Sequence, residues 1–199
     1  MHNSTSAIRD YLTQTENGYL FSISELLDYA SYETAKKIVQ RMERNGEIVR
    51  IIDGIYSKPK FSKLLKKNVP ASIPDIANKI AEKFAWRIIP SGDAALNMLH
   101  LSTQVPACYV YLSDGPYREY EVYGMKLKFK RTSNRNIDGI SPKSALVIQS
   151  LKTLGVDNID DDVLKKIKSV LTSEERKSLL SEYKRAPIWM HDYIITIGA

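Results

Sequence analysis

The residue types that most often do chemistry are sparse in this 199-residue chain. His2, His100, His191 and Cys108 stand far apart, without the short paired spacings of a zinc site, so each reads as a surface or core residue and no metal is expected. Asp160, Asp161 and Asp162 have the composition of a magnesium site, but consecutive acids at a helix start complement its dipole, which is the commoner reason for them. Pro90-Ser91-Gly92-Asp93 has one glycine where a phosphate-cradling loop needs several and a lysine, and helix capping accounts for it. With no catalytic constellation, neither enzymatic activity nor a cofactor is expected.

A different chemistry is carried by side chains that hydrogen-bond without reacting. At helical spacing, Glu33, Lys37, Gln40 and Arg44 fall on one face, flanked by Thr34, Lys36 and Arg41. Arg or Lys can read guanine in the major groove, Gln can read adenine, and Thr can touch either. The same residues also describe an ordinary solvated helix face.

The elements around that face decide between the two readings. Ser4 to Thr15 predicts a first helix, and Ser22-Ile23-Ser24-Glu25 has the form of a capping box opening a short helix over 23–29, which Phe21 enters. A third helix is expected from Tyr32 to Asn45, with Ala35, Ile38, Val39 and Met42 turned inward and Gly46 as its stop. Ile48 to Ile52 and Ile55 to Tyr56 are strand-like around Asp53-Gly54, a strong hairpin turn. Three helices followed by a two-stranded ribbon is the order of a winged helix-turn-helix, with the third helix for bases and the wing, through Arg50 and Lys58, for phosphates. A winged helix used only for protein contacts is the bland alternative.

Residues 60–75 carry Lys60, Lys63, Lys66 and Lys67 with Pro70 and Pro74, and read as a basic linker. A second domain is expected over 76–199: a helix from Ile76 to Phe84, a short strand at Ile88-Ile89, a helix from Asp93 to His100, strands at 108–112, 118–123 and 125–131, then several helices with the tail on the sheet. In the last strand Lys126, Lys128 and Lys130 alternate with Met125, Leu127 and Phe129, so period two puts the lysines on one face. With Arg131 and Arg135 they suit a phosphate backbone, and equally they suit the protection of an exposed sheet edge. The fold class is thus α+β, an N-terminal winged helix-turn-helix over 1–59 followed by a mixed α/β domain.

Composition sets the outer bounds. A hydrophobic content of 43% with 26% charged residues is ordinary globular composition. The single cysteine, the lack of a leader-like start and the lack of any long apolar run lead to the expectation of a cytoplasmic protein away from membranes. The net charge of +6 favours a polyanionic partner, yet residues 1–58 hold seven Lys/Arg against eight Asp/Glu, so the positive charge is local.

The segment AKKIVQRMERNGEIVRIIDGIYSKP, together with IPSGDAALNMLHLSTQVPACYVYLSDG, resembles the antitoxins of AbiE-type (type IV) toxin–antitoxin systems. The first carries a winged-helix signature on Arg41, Gly46, Ile48, Arg50, Gly54, Tyr56 and Pro59; the second carries the start of the C-terminal domain on Leu101 to Pro106. The resemblance implies an autorepressor that binds inverted repeats of double-stranded DNA in its own promoter. It also implies an antitoxin that counters a nucleotidyltransferase-type toxin without a tight complex. Read from helical and strand period and from local charge, the expected DNA contacts are Thr34, Lys36, Lys37, Gln40, Arg41, Arg44, Arg50 and Lys58, completed by Lys63, Lys66, Lys67, Lys126, Lys128 and Lys130. A nucleotidyltransferase-like enzyme is the competing reading, though the chain lacks a Gly-Ser loop followed by paired acids.

Overall fold

The computed structural model describes residues 4–133 and 138–199, and the chain divides into two compact units, Met1–Ala85 and Trp86–Ala199. The class is α+β.

In the first unit, helix α1 (Ser4–Gln14) buries Ile8 and Leu12 and leads to strand β1 (Leu20–Ser22). A single 3-10 turn, Ile23–Leu26, then stands where a helix over 23–29 was expected, and β1 is a strand where Phe21 was expected to enter that helix. Three consecutive buried residues have no period, so pattern alone cannot separate a short central strand from a helix start. The Ser22 backbone N–H and hydroxyl both donate to Glu25 Oε1, at 2.7 and 3.0 Å, which closes the turn.

Helix α2 (Tyr32–Arg44) turns Ala35, Ile38, Val39 and Met42 inward, as their spacing requires. Gly46, at φ +73°, lets the chain leave the helix in a left-handed conformation. Strands β2 (Val49–Ile52) and β3 (Ile55–Ser57) follow, and the antiparallel sheet has the order β1-β3-β2. Ile8, Leu12, Phe21, Leu26, Ile38, Val39, Met42 and Ile48 form its core with Tyr56. Each large aliphatic or aromatic side chain buried there contributes roughly 1.5–3 kcal/mol.

Residues 60–75, expected as a linker, contain a small antiparallel hairpin of β4 (Phe61–Ser62) and β5 (Lys67–Asn68). The next helix, α3 (Ile73–Lys83), was expected to open the second domain but belongs to the first unit, where it lies against β1. The boundary therefore falls after Ala85. Periodicity shows that Ile76, Ala77 and Ile80 need cover, not which body supplies it. Lys79 helps fix α3 in place, its ammonium 3.3 Å from Glu25 Oε1.

The second unit opens with β6 (Ile88–Ser91), α4 (Asp93–Met98), β7 (Cys108–Ser113), β8 (Arg118–Val122) and β9 (Met125–Arg131). Its sheet has the order β6-β7-β9-β8, with β7 and β9 parallel. Helices α5 (Pro142–Leu154), α6 (Asp161–Val170), α7 (Ser173–Glu182) and α8 (His191–Gly198) complete it. From Ser144 to Leu151 every residue of α5 is buried, so this helix is the centre of the unit. The tail, expected on the sheet, packs on α6 and α7, with Ile194 and Ile197 in a core shared with Leu164, Ile167 and Leu179. Among the described residues no helix is long and apolar enough to cross a membrane.

Candidate nucleic-acid interface

The inward stripe of α2 leaves its opposite side to solvent, and Glu33, Lys37, Gln40 and Arg44 are all exposed there. None of the four has a hydrogen-bonded or ionic protein partner among the described residues. The 13-residue helix is about 20 Å long and about 10–12 Å wide with its side chains, close to the roughly 12 Å of a major groove. Its two flanks differ. On one, the Arg41 guanidinium donates to Thr5 Oγ1 at 2.9 Å, tying α2 to α1. Thr34 accepts from the Ser31 hydroxyl at 2.9 Å at the helix start.

On the other flank α2 borders a cleft of about 370 Å³. Tyr32, Lys36, Gln40 and Glu43 line it from α2, Arg50, Asp53, Gly54 and Tyr56 from the ribbon, and Lys83 from α3. Arg50 is ion-paired with Asp53 across the turn, so a phosphate would have to compete with that carboxylate for the guanidinium. Burial pushes the Tyr56 hydroxyl above its ordinary range, with Arg50 pulling the other way, so the phenol stays a neutral donor at the cleft wall. Lys83, absent from the sequence reading, reaches within 3.5 Å of the Asp53 and Gly54 carbonyls. It lies 29 residues past Gly54, and no local pattern connects the two.

Lys58, expected on the phosphates, has its ammonium engaged within the first unit. Its ammonium donates to the carbonyls of Leu12 (2.9 Å), Thr13 (3.4 Å) and Thr15 (2.6 Å) at the end of α1. The Leu12 carbonyl also accepts from the Thr15 N–H and hydroxyl, and a cation at the negative end of the dipole is favourable, so Lys58 serves as an α1 cap. Arg9 and Glu47 form a two-pronged pair nearby, at 2.6 and 2.9 Å. The hydrogen bond from Arg9 holds the Glu47 carboxyl below the usual carboxylate range.

Lys63, Lys66 and Lys67 sit on the β4–β5 hairpin, all exposed. Lys126, Lys128 and Lys130 belong to the other unit. There β9 lies between β7 and β8, so its lysines occupy a sheet face and protect no edge. Glu119 on β8 sits 3.2 Å from Lys128 and 3.9 Å from Lys126, which offsets one of that strand's four positive charges. Hydrogen bonds from Tyr117 and Lys128 hold Glu119 below the ordinary carboxylate range. Arg135 lies outside the described residues. Asp160 accepts from the Val163 N–H at 2.8 Å and caps α6. Among the described residues no group of His, Cys, Asp or Glu is placed to hold a metal ion.

No curated protein matches the chain. Residues 7–179, most of its length, match the family described as a family of unknown function (DUF6088), and the chain belongs to that family.

Proposed function

We propose that the chain is a sequence-specific, double-stranded-DNA-binding regulator of winged-helix type, with α2 in the major groove and the β2–β3 ribbon beside it as the wing. The observation that carries this reading is the outer face of α2, where Lys37, Gln40 and Arg44 present hydrogen-bonding side chains with no protein partner among the described residues, next to a ribbon whose turn lines a cleft with Lys36 and Lys83. In the cell it acts in the cytoplasm as an autorepressor and as the antitoxin of a nucleotidyltransferase-type toxin, a role supported by the sequence resemblance at Leu101 to Pro106.

The test is affinity for duplex from the region upstream of its own gene against a scrambled duplex over a salt series. Replacing Gln40 or Arg44 by Ala should cost on the order of 1–3 kcal/mol on the upstream duplex and much less on the scrambled one. No retention of either duplex at low salt would defeat the reading and favour an adaptor role.

A further inference from the structure

Lysine and large apolar side chains are interleaved at the tip of the β4–β5 hairpin in a way that neither the core nor the α2 face uses. Phe61 is 60% exposed, Leu64 91% and Leu65 56%, three large apolar side chains within five residues that contribute little to any core. Between and around them stand Lys60, Lys63, Lys66 and Lys67, and from Gly54 to Pro74 the chain has five lysines and no acid. The hairpin is built: Phe61 pairs with Asn68 and Ser62 with Lys67, the Val69 N–H donates to the Lys60 carbonyl at 2.8 Å, and Lys66 takes φ +49° at the turn.

Its place in the first unit follows from the sheet. Strand β3 spans only three residues, about 10 Å, with the Asp53-Gly54 turn at one end and the hairpin root at the other. The turn borders the cleft that runs along α2 from Tyr32 to Glu43. At the other end the hairpin root, Lys60 and Val69, borders a depression with Glu16 to Tyr19 and Ser72. The two ribbons therefore leave β3 at its opposite ends.

We propose that the β4–β5 hairpin is a second wing, whose lysines hold phosphates and whose Leu64 enters the minor groove as an apolar wedge against a base step. The inference rests on the DNA-binding reading of α2. Charge selects the occupant: a second copy of this hairpin would bring like charges together, whereas nucleic acid supplies the opposite sign along its whole length. Apolar side chains inserted from the minor groove partly unstack a step, and a ribbon tip fits where a roughly 6 Å groove excludes a helix. Leu64 is the wedge because it is the most exposed of the three apolar side chains and sits at the turn between two lysine flanks.

The experiment is permanganate oxidation of unstacked thymines in upstream duplex bound by the full-length chain, with affinities over a salt series. The wild type should make one or more thymines at the edge of the protected region hyper-reactive. Leu64→Ala should abolish that reactivity and weaken binding about tenfold, while Leu64→Met retains both. The double change Lys66→Ala/Lys67→Ala should lower the salt slope by about two. Because Leu64 is almost fully exposed, its replacement leaves folding intact, and an unchanged circular-dichroism melt confirms this. A wild type that binds with no hyper-reactive thymine, or a Leu64→Ala variant that behaves as wild type, would overturn the second wing and leave the α2 reading standing. A wild type that retains no DNA would overturn both. Leu64-dependent binding to phosphatidylglycerol vesicles, or Leu64-dependent self-association, with unaltered thymine reactivity, would overturn it in favour of a lipid surface or a second copy.

Discussion

Replacing Lys58 by Met separates a structural lysine from a DNA-binding one, because the two roles predict opposite outcomes for stability and for salt dependence. In the structure the ammonium donates to three carbonyls at the end of α1, two of them at 2.6 and 2.9 Å, and of the three the Leu12 carbonyl has further donors, from Thr15. Hydrogen bonds to a charged group are worth about 1.5–3 kcal/mol net, and a cation at a helix end adds about 0.3–1 kcal/mol. Lys58 is only partly buried, so water recovers some of this, and a loss of about 2 kcal/mol is expected. Methionine keeps most of the apolar stem, so the loss reports the ammonium. Both tryptophans, Trp86 and Trp189, lie in the second unit, so urea unfolding of the first must be followed by far-ultraviolet circular dichroism or amide exchange in α1. The salt slope of DNA binding, measured under conditions where the variant is folded, should be unchanged. A variant of unaltered stability whose slope falls by about one would refute the capping role and restore Lys58 to the phosphates.

Two further outcomes test the interior of the first unit. Gly54 has φ +74°, and a Cβ there would run into the Lys83 ammonium, so Gly54→Ala should cost about 1–2 kcal/mol and displace Lys83 from the cleft; an unchanged urea midpoint would show that the turn relaxes instead. Burial pushes the Glu25 carboxyl up, but hydrogen bonds from the Ser22 N–H and the Tyr19 hydroxyl, with Lys79 beside it, hold it below its usual range. A depressed carboxyl contributes stability above its unfolded value of about 4.3 that is lost as pH falls through the folded value. Urea midpoints between pH 5 and pH 2 should therefore fall more steeply for the wild type than for Glu25→Gln, and parallel profiles would remove Glu25 from the account.

Local features of the chain were enough to place the outer face of α2. Its apolar positions recur with the helical period, Gly46 follows where a left-handed residue is needed, and Asp53-Gly54 sits between two β-branched runs, all within a few residues of one another. The same locality marked the lysine alternation of β9 and the acids that cap α6. Tertiary structure decided what depends on partners distant in sequence. Strand β1 exists because β3, 35 residues later, pairs with Leu20 to Ser22. Lys58 became a cap because its strand runs past the end of α1, and Lys83 entered the cleft because α3 packs on the first unit rather than the second. The lysines of β9 lost their role at an edge because β7 and β8 occupy both of its sides. Period and turn chemistry report the face a residue takes within its own element. Which element covers that face is a property of the assembled fold.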